Sequence, residues 1–138
     1  MTIYPEEIYE LGRRLVDKYP TLCKSGEAPE EFDECLFRTI IDRAYYSAFL
    51  TAREWLRDNR GFKPTRKGED HDLVRRALTK SGIPNANGLA GRLSTLHKER
   101  KQASYDINGG FSKPYSKDDV TAILDSTEIF IKRVISNP

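Results

Sequence analysis

Residues 38–56, RTIIDRAYYSAFLTAREWL, decide the fold class. Read at 3.6 residues per turn, Ile40, Ala44, Ser47/Ala48, Thr51/Ala52 and Trp55 fall on one stripe, and the same stripe extends upstream through Cys35/Leu36 and Phe32. The spacing therefore predicts one long helix over roughly Pro29–Asn59. Its middle is built of small residues, which lets a neighbouring helix approach closely. Arg38, Asp42, Arg43, Tyr45 and Tyr46 are set into this otherwise small and apolar segment. Arg38 and Asp42 have the i, i+4 spacing of a helical ion pair, which is worth only a few tenths of a kcal/mol. The two tyrosines read equally as core residues with satisfied hydroxyls.

The flanking segments repeat the helical period. Ile8, Leu11, Leu15 and Tyr19 share a face over Pro5–Tyr19, with Pro5 suited to a first turn, Glu6 and Glu7 placed at the positive end of the dipole, and Pro20 as a stop. A polar connector, TLCKSGEAPE, precedes the long helix, and RGFKPTRKG follows it as a basic loop interrupted by Gly61, Pro64 and Gly68. A short third helix starts around Glu69, Asp70 and His71, turns Leu73, Val74, Ala77 and Leu78 inward, and closes at Gly82 and Pro84. Asn85–Tyr105 reads as a fourth helix with Leu89, Leu93 and Leu96 toward the core and a later part, HKERKQAS, too polar to be buried. After the loop INGGFSKPY, Ser116 with Asp119 forms a capping box. A fifth helix then carries Val120, Ile123, Leu124, Thr127, Phe130, Ile131 and Val134 on one face. The expectation is an all-α fold, an up-and-down bundle of four to five helices, in a single domain over residues 1–138.

The 23 Lys and Arg against 21 Asp and Glu leave a net charge of only +2, but the charges are unevenly placed. Residues 1–35 are net −5, residues 36–105 net +8 and residues 106–138 net −1. A phosphate-bearing partner should meet the basic middle of the chain. The start, MTIYPEEIYELGRR, lacks a basic and then apolar leader, and no stretch approaches the roughly 18 apolar residues of a membrane span, so no membrane association and a cytoplasmic location are expected. Cys23 and Cys35 form no CxxC, and with His71 and His97 as the two histidines no zinc set of normal spacing can be assembled; no metal and no cofactor are expected, and the thiols are expected reduced and packed. No glycine cluster follows a strand-like run, which excludes a phosphate loop or dinucleotide fingerprint.

The second informative stretch is LHKERKQASYD, residues 96–106. Arg100, Lys101, Ser104 and Tyr105 crowd a helix end with cations, a hydroxyl and a phenol, groups that can hold a phosphodiester and stack a base, although a solvated charged helix end would look the same. RLSTLH, with Arg92 and His97, also satisfies an Arg-x4-His pattern, but an i, i+5 pair points to different helix faces and lies about two turns earlier. His71, behind Asp70 at a helix start, reads first as a capping or structural residue.

Taken in order, RAYYSAFLTAREWL, HDLVRRAL, LAGRLSTLHKERKQASYD and FSKPYSKDDVTAILDSTEIFIKRVI resemble the HEPN domain family over about residues 29–135. The likeness is to the branch with an Arg-Ala-Tyr-Tyr element, here Arg43 to Tyr46, a His opening the third helix, here His71, and an Arg-x-x-Ala-Asp-Tyr-like element, here Arg100 to Tyr105. The resemblance implies an up-and-down helical bundle, pairing as a homodimer, and RNA as partner. Many such domains are metal-independent ribonucleases of toxin–antitoxin or defence systems with Arg, four to six residues, then His. In that chemistry Arg100 would stabilise charge on the phosphorus, with Lys101 and Ser104 beside it and Tyr105 positioning the ribose or base. Here Tyr105 stands where the His would fall. A phenol of pKa about 10 is ionised in about one molecule per thousand at pH 7, so Tyr105 is a slow base unless Arg100 and Lys101 lower it. The resemblance equally implies a second class, a non-catalytic module in which Arg43, Tyr45, Tyr46, Arg100 and Tyr105 hold a nucleotide or a nucleotidyltransferase partner. A purely structural helical dimer is the third reading.

Overall fold

No glycine or proline interrupts the chain between Glu30 and Arg60, and the whole stretch is one helix of 31 residues, about 46 Å long at 1.5 Å per residue. The computed structural model describes residues 5–18, 30–105 and 116–137, with side chains placed at 7–18, 35–103 and 116–137. The described residues form five helices: α1 Pro5–Asp17, α2 Glu30–Arg60, α3 Asp70–Thr79, α4 Ala86–Tyr105 and α5 Lys117–Ile135. All regular structure among the described residues is helical. The long helix α2 packs against each of the other four, α1 also lies on α5, and α4 bridges α3 and α5.

The small stripe of α2 explains its central place. Ala44, Ser47, Ala48, Thr51 and Ala52 are all buried, so the other helices close onto a flat surface. Two apolar clusters sit on it. The larger gathers Tyr45, Phe49, Leu56, Val74, Leu93 and Phe130 from α2 to α5, and the smaller joins Val16, Phe37, Ile40, Ile41, Val120 and Leu124 between α1, α2 and α5. At the end of α2, Gly61 takes a left-handed φ of +70°, and the reversed chain lets the Phe62 amide donate to the Leu56 carbonyl at 3.2 Å. The capping box of α5 forms as its residues predict: Ser116 Oγ accepts from the Asp119 amide at 3.1 Å, and the Asp119 carboxylate accepts from the Ser116 amide at 2.9 Å.

Three expectations are corrected. In α1 the buried line is Gly12 and Val16 with Tyr9 half-buried, while Leu11 is 57 % exposed. The cause is that α1 wedges between two helices: Gly12 lies so close that a Cβ there would touch Ile40 and Leu124. Arg13 then clamps α1 to α5 through Asp125 at 2.7 Å and Glu128 at 3.4 Å. Cys35 is exposed rather than packed, because it lies on the side of α2 opposite the buried Phe37, Ile40, Ile41 and Ala44, and Cys23 lies outside the described residues. The polar half of α4 is not solvent-facing throughout: Ala103 is buried, Glu99 is half-buried, and His97 and Arg100 are half-buried against α2. Tyr19, Phe32 and the INGGFSKPY loop lie outside the described side chains. Among the described residues no helix is long and apolar enough to cross a membrane.

Candidate functional site

Asp42, Tyr45, Tyr46 and Phe49 recur at i, i+3, i+4 and i+7 and so share one face of α2. On α4, His97 and Arg100 are three residues apart and point the same way, and the first turn of α3 brings His71 between the two helices. The result is a cluster of rings. Tyr45 Oη and His71 Nδ1 are 2.5 Å apart, a hydrogen bond in which the phenol donates whenever Nδ1 is unprotonated. The His71 and His97 rings stack at 4.8 Å between centroids with 16° between planes, and His97 stacks on Tyr45 at 4.8 Å and 15°. Phe49 covers the other side of His71 at 4.5 Å.

One flank of this stack is polar and charged. Arg100 Nε donates to Asp42 Oδ1 at 2.9 Å, and its Nη2 donates to Tyr46 Oη at 3.0 Å, with the guanidinium 5.0 Å from the Tyr46 ring centroid. Arg43 Nη2 donates to the other Asp42 oxygen at 2.7 Å and also lies over the Tyr46 ring, 5.4 Å from its centroid. On α3, Arg75 pairs with Asp72 and reaches Ser94 Oγ of α4 at 3.4 Å. The exposed Lys101 adds positive potential at both histidines.

Burial and these cations act together on the titratable groups. Burial, and after it His71, Lys101, Arg100 and Arg75, push the His97 imidazole down to about 4. His71 is lowered by burial and then by Arg100, with Asp70 pulling the other way. Burial, followed by Tyr46, raises the Tyr45 phenol above its ordinary range. At pH 7 the cluster is therefore two neutral imidazoles and a neutral phenol under the field of three cations.

This arrangement makes stability depend on pH. Between about 6.5 and 4 the unfolded chain binds a proton at His97 that the folded chain does not, so the contribution is complete above pH 6.5 and is lost as pH falls toward 4. Full shielding would make it about 3 kcal/mol, and the ring's partial contact with water reduces it to about 1–2 kcal/mol. Urea unfolding at pH 7 and pH 4.5 should show that loss in the wild type and a smaller one in His97→Gln. Equal losses in the two proteins would refute it.

Of the residues singled out in the sequence, Tyr45, Tyr46, Arg43, His71 and Arg100 converge here, with Lys101 at the edge. Of the two roles read for His71, capping or structural, the cap position of α3 falls to Glu69, and His71 faces the ring stack. Arg38 donates to the carbonyls of Gln102 at 2.9 Å and Ala103 at 3.1 Å, fastening α2 to the end of α4. Arg92 and His97 diverge as an i, i+5 pair must, Arg92 donating to Ser126 Oγ of α5 at 2.9 Å. His97 nevertheless belongs to the cluster without Arg92, and its i, i+3 relation to Arg100 was the available signal. Ser104 and Tyr105 close α4, and their side chains lie outside the described residues. Among the described residues no group of three His, Cys, Asp or Glu could hold a metal ion. In comparisons with protein-family models, curated proteins and solved structures, nothing matches this chain.

Proposed function

We propose that this chain is an RNA-directed protein of the HEPN type, a metal-independent ribonuclease of a toxin–antitoxin or defence system acting in the cytoplasm. The observation that carries the reading is the pair of stacked imidazoles, His71 and His97, neutral at pH 7 and flanked by Arg75, Arg100 and Lys101. One neutral imidazole can take the proton of an attacking 2′-hydroxyl. The 2′-oxygen–phosphorus bond forms, the phosphorus–5′-oxygen bond breaks, and the departing oxygen takes a proton from the other imidazole. That second imidazole gains its proton when the anionic phosphodiester enters and offsets the cations that depress it. Arg100 supplies charge at the phosphorus, and Tyr105 keeps the role of positioning ribose or base. The HEPN reading also pairs two copies of the chain, for which exposed Leu11 on α1 offers apolar contact.

A second reading draws on Arg100 itself. Its charge is shared with Asp42 and its Nη2 is taken by Tyr46, an arrangement suited to a non-catalytic module that binds a nucleotide or a nucleotidyltransferase partner through Arg43, Tyr46 and Arg100. Incubation of mixed cellular RNA with the purified protein in EDTA separates the two. The ribonuclease reading expects cleavage by the wild type and a loss of about 100-fold or more in Arg100→Ala. A slower Tyr105→Phe would assign the phenol a part in the reaction. RNA left intact by the wild type, together with retention of a nucleotide or partner, would transfer the conclusion to the binding module.

A further inference from the structure

The basic middle of the chain is less free than its net charge suggests. Arg53, Arg57, Arg75, Arg76 and Arg100 are each held by a carboxylate of a neighbouring side chain. The connection from α2 to α3 is different. Between Arg60 and Gly68 there are three cations, Lys63, Arg66 and Lys67, and no acid. Lys63, Arg66 and Lys67 are exposed and make no ion pair or side-chain hydrogen bond among the described residues.

This loop is also held in one shape, and a buried carboxylate holds it. Asp70, 2 % exposed, accepts from the Thr65 amide at 3.0 Å, the Thr65 hydroxyl at 2.6 Å and the Arg66 amide at 2.8 Å. Thr65 Oγ1 in turn accepts from the Lys67 amide at 3.2 Å. Arg66 is thereby kept at a φ of +62°, a conformation that L side chains rarely adopt without such support. The far end is anchored by Phe62, which packs on the larger apolar cluster. The near end joins the site directly, since the His71 amide donates to the Gly68 carbonyl at 3.3 Å and His71 follows Asp70 in the chain.

We propose that loop 61–68 is a preformed track for the RNA backbone, delivering a strand to the His71/His97 cluster. This rests on the RNA-directed reading above and adds where the strand runs. Exposed cations with no carboxylate between them fit a row of phosphates, and fixing the loop before binding lowers the ordering cost. The loop presents no large exposed apolar side chain, since Phe62 is turned inward. It therefore lacks the apolar anchor that a membrane surface or the centre of a protein interface requires.

The test is binding of a single-stranded 2′-O-methyl oligonucleotide, which cannot be cleaved through its 2′ position, by fluorescence anisotropy over a range of salt. The combined variant Lys63→Gln/Arg66→Gln/Lys67→Gln should bind about tenfold more weakly or worse at moderate salt. It should also lower the slope of log affinity against log salt by about 2, near 0.7 for each cation removed. His97→Ala should keep the wild-type slope. Asp70→Asn, which leaves every cation in place but weakens the anchor, should lower affinity with little change in slope. A wild-type affinity and slope in the combined variant would overturn the track while leaving the ribonuclease reading intact. No RNA binding by the wild type even at low salt would overturn both. Binding to phosphatidylserine vesicles that disappears in the combined variant, with RNA binding unchanged, would assign the loop to a membrane and overturn the track.

Discussion

His97→Ala should reduce RNA cleavage in EDTA by a factor of about 100 to 10,000, the range that a positioned proton-transfer group contributes, and His71→Ala should do the same. Both rings are needed because the proposed reaction removes one proton and supplies another, and the 4.8 Å stack leaves no other imidazole to take over. The wild-type kcat/KM should be bell-shaped in pH, rising above about 4 as one imidazole loses its proton and falling again as the other loses the proton that it must donate. Arg92→Ala is the control: its guanidinium bonds Ser126 on α5, away from the stack, so cleavage should be unchanged. Circular dichroism of each variant separates loss of chemistry from loss of fold. Full activity in His97→Ala would remove the histidine pair from the mechanism and return the chemistry to the Arg100–Tyr105 element.

Phe130→Ala should cost about 3–5 kcal/mol of folding stability, a large share of the 5–15 kcal/mol typical of a domain. Phe130 is fully buried on α5 in the larger apolar cluster, where α5 meets α2, and truncation would leave a cavity that the rigid stripe of α2 cannot close. One position earlier, Ile129 is 42 % exposed, and Ile129→Ala should change stability by no more than about 0.5 kcal/mol. Urea unfolding gives both values from the midpoint, provided that the slope is unchanged. A Phe130→Ala protein that unfolds within about 1 kcal/mol of the wild type would mean that α5 is not part of the cooperative core.

The contrast between Phe130 and Ile129 also indicates how much of the fold was legible. In α5 the apolar period, the Ser116–Asp119 box and the lack of any breaker all point one way, and helix, cap and buried face follow as expected. In α1 the same period misplaced Leu11, because the helix is wedged against two partners and the line of closest approach runs through Gly12, a residue with no apolar side chain to announce it. Cys35 failed because the stripe was carried one turn too far in the wrong phase: the buried line of α2 enters through Phe37, Ile40 and Ile41, and Cys35 lies on the opposite side of the helix.

The candidate site was legible in parts and not as a whole. Arg43, Tyr45, Tyr46, His71 and Arg100 stood out as polar or aromatic residues on helices whose other positions had packing roles. His97 did not, since its apparent partner was Arg92, and Asp42 was paired on paper with Arg38. The structure gives Asp42 to Arg100, 58 residues away, and Arg38 to the backbone at the end of α4.

Local spacing by itself determined that this chain is helical, where four of the five described helices bury their faces, and which polar residues have no packing reason to be where they are. Periodicity can do this because each helix buries its own stripe, whatever covers it. Tertiary structure alone decided that Tyr45 meets His71 across 26 residues, that His97 stacks on both, and that their neutrality depends on burial beside Arg100. Those contacts depend on the rotation and register of α2, α3 and α4 against one another, and register is set by the summed packing of all three faces, which no single stretch of sequence carries.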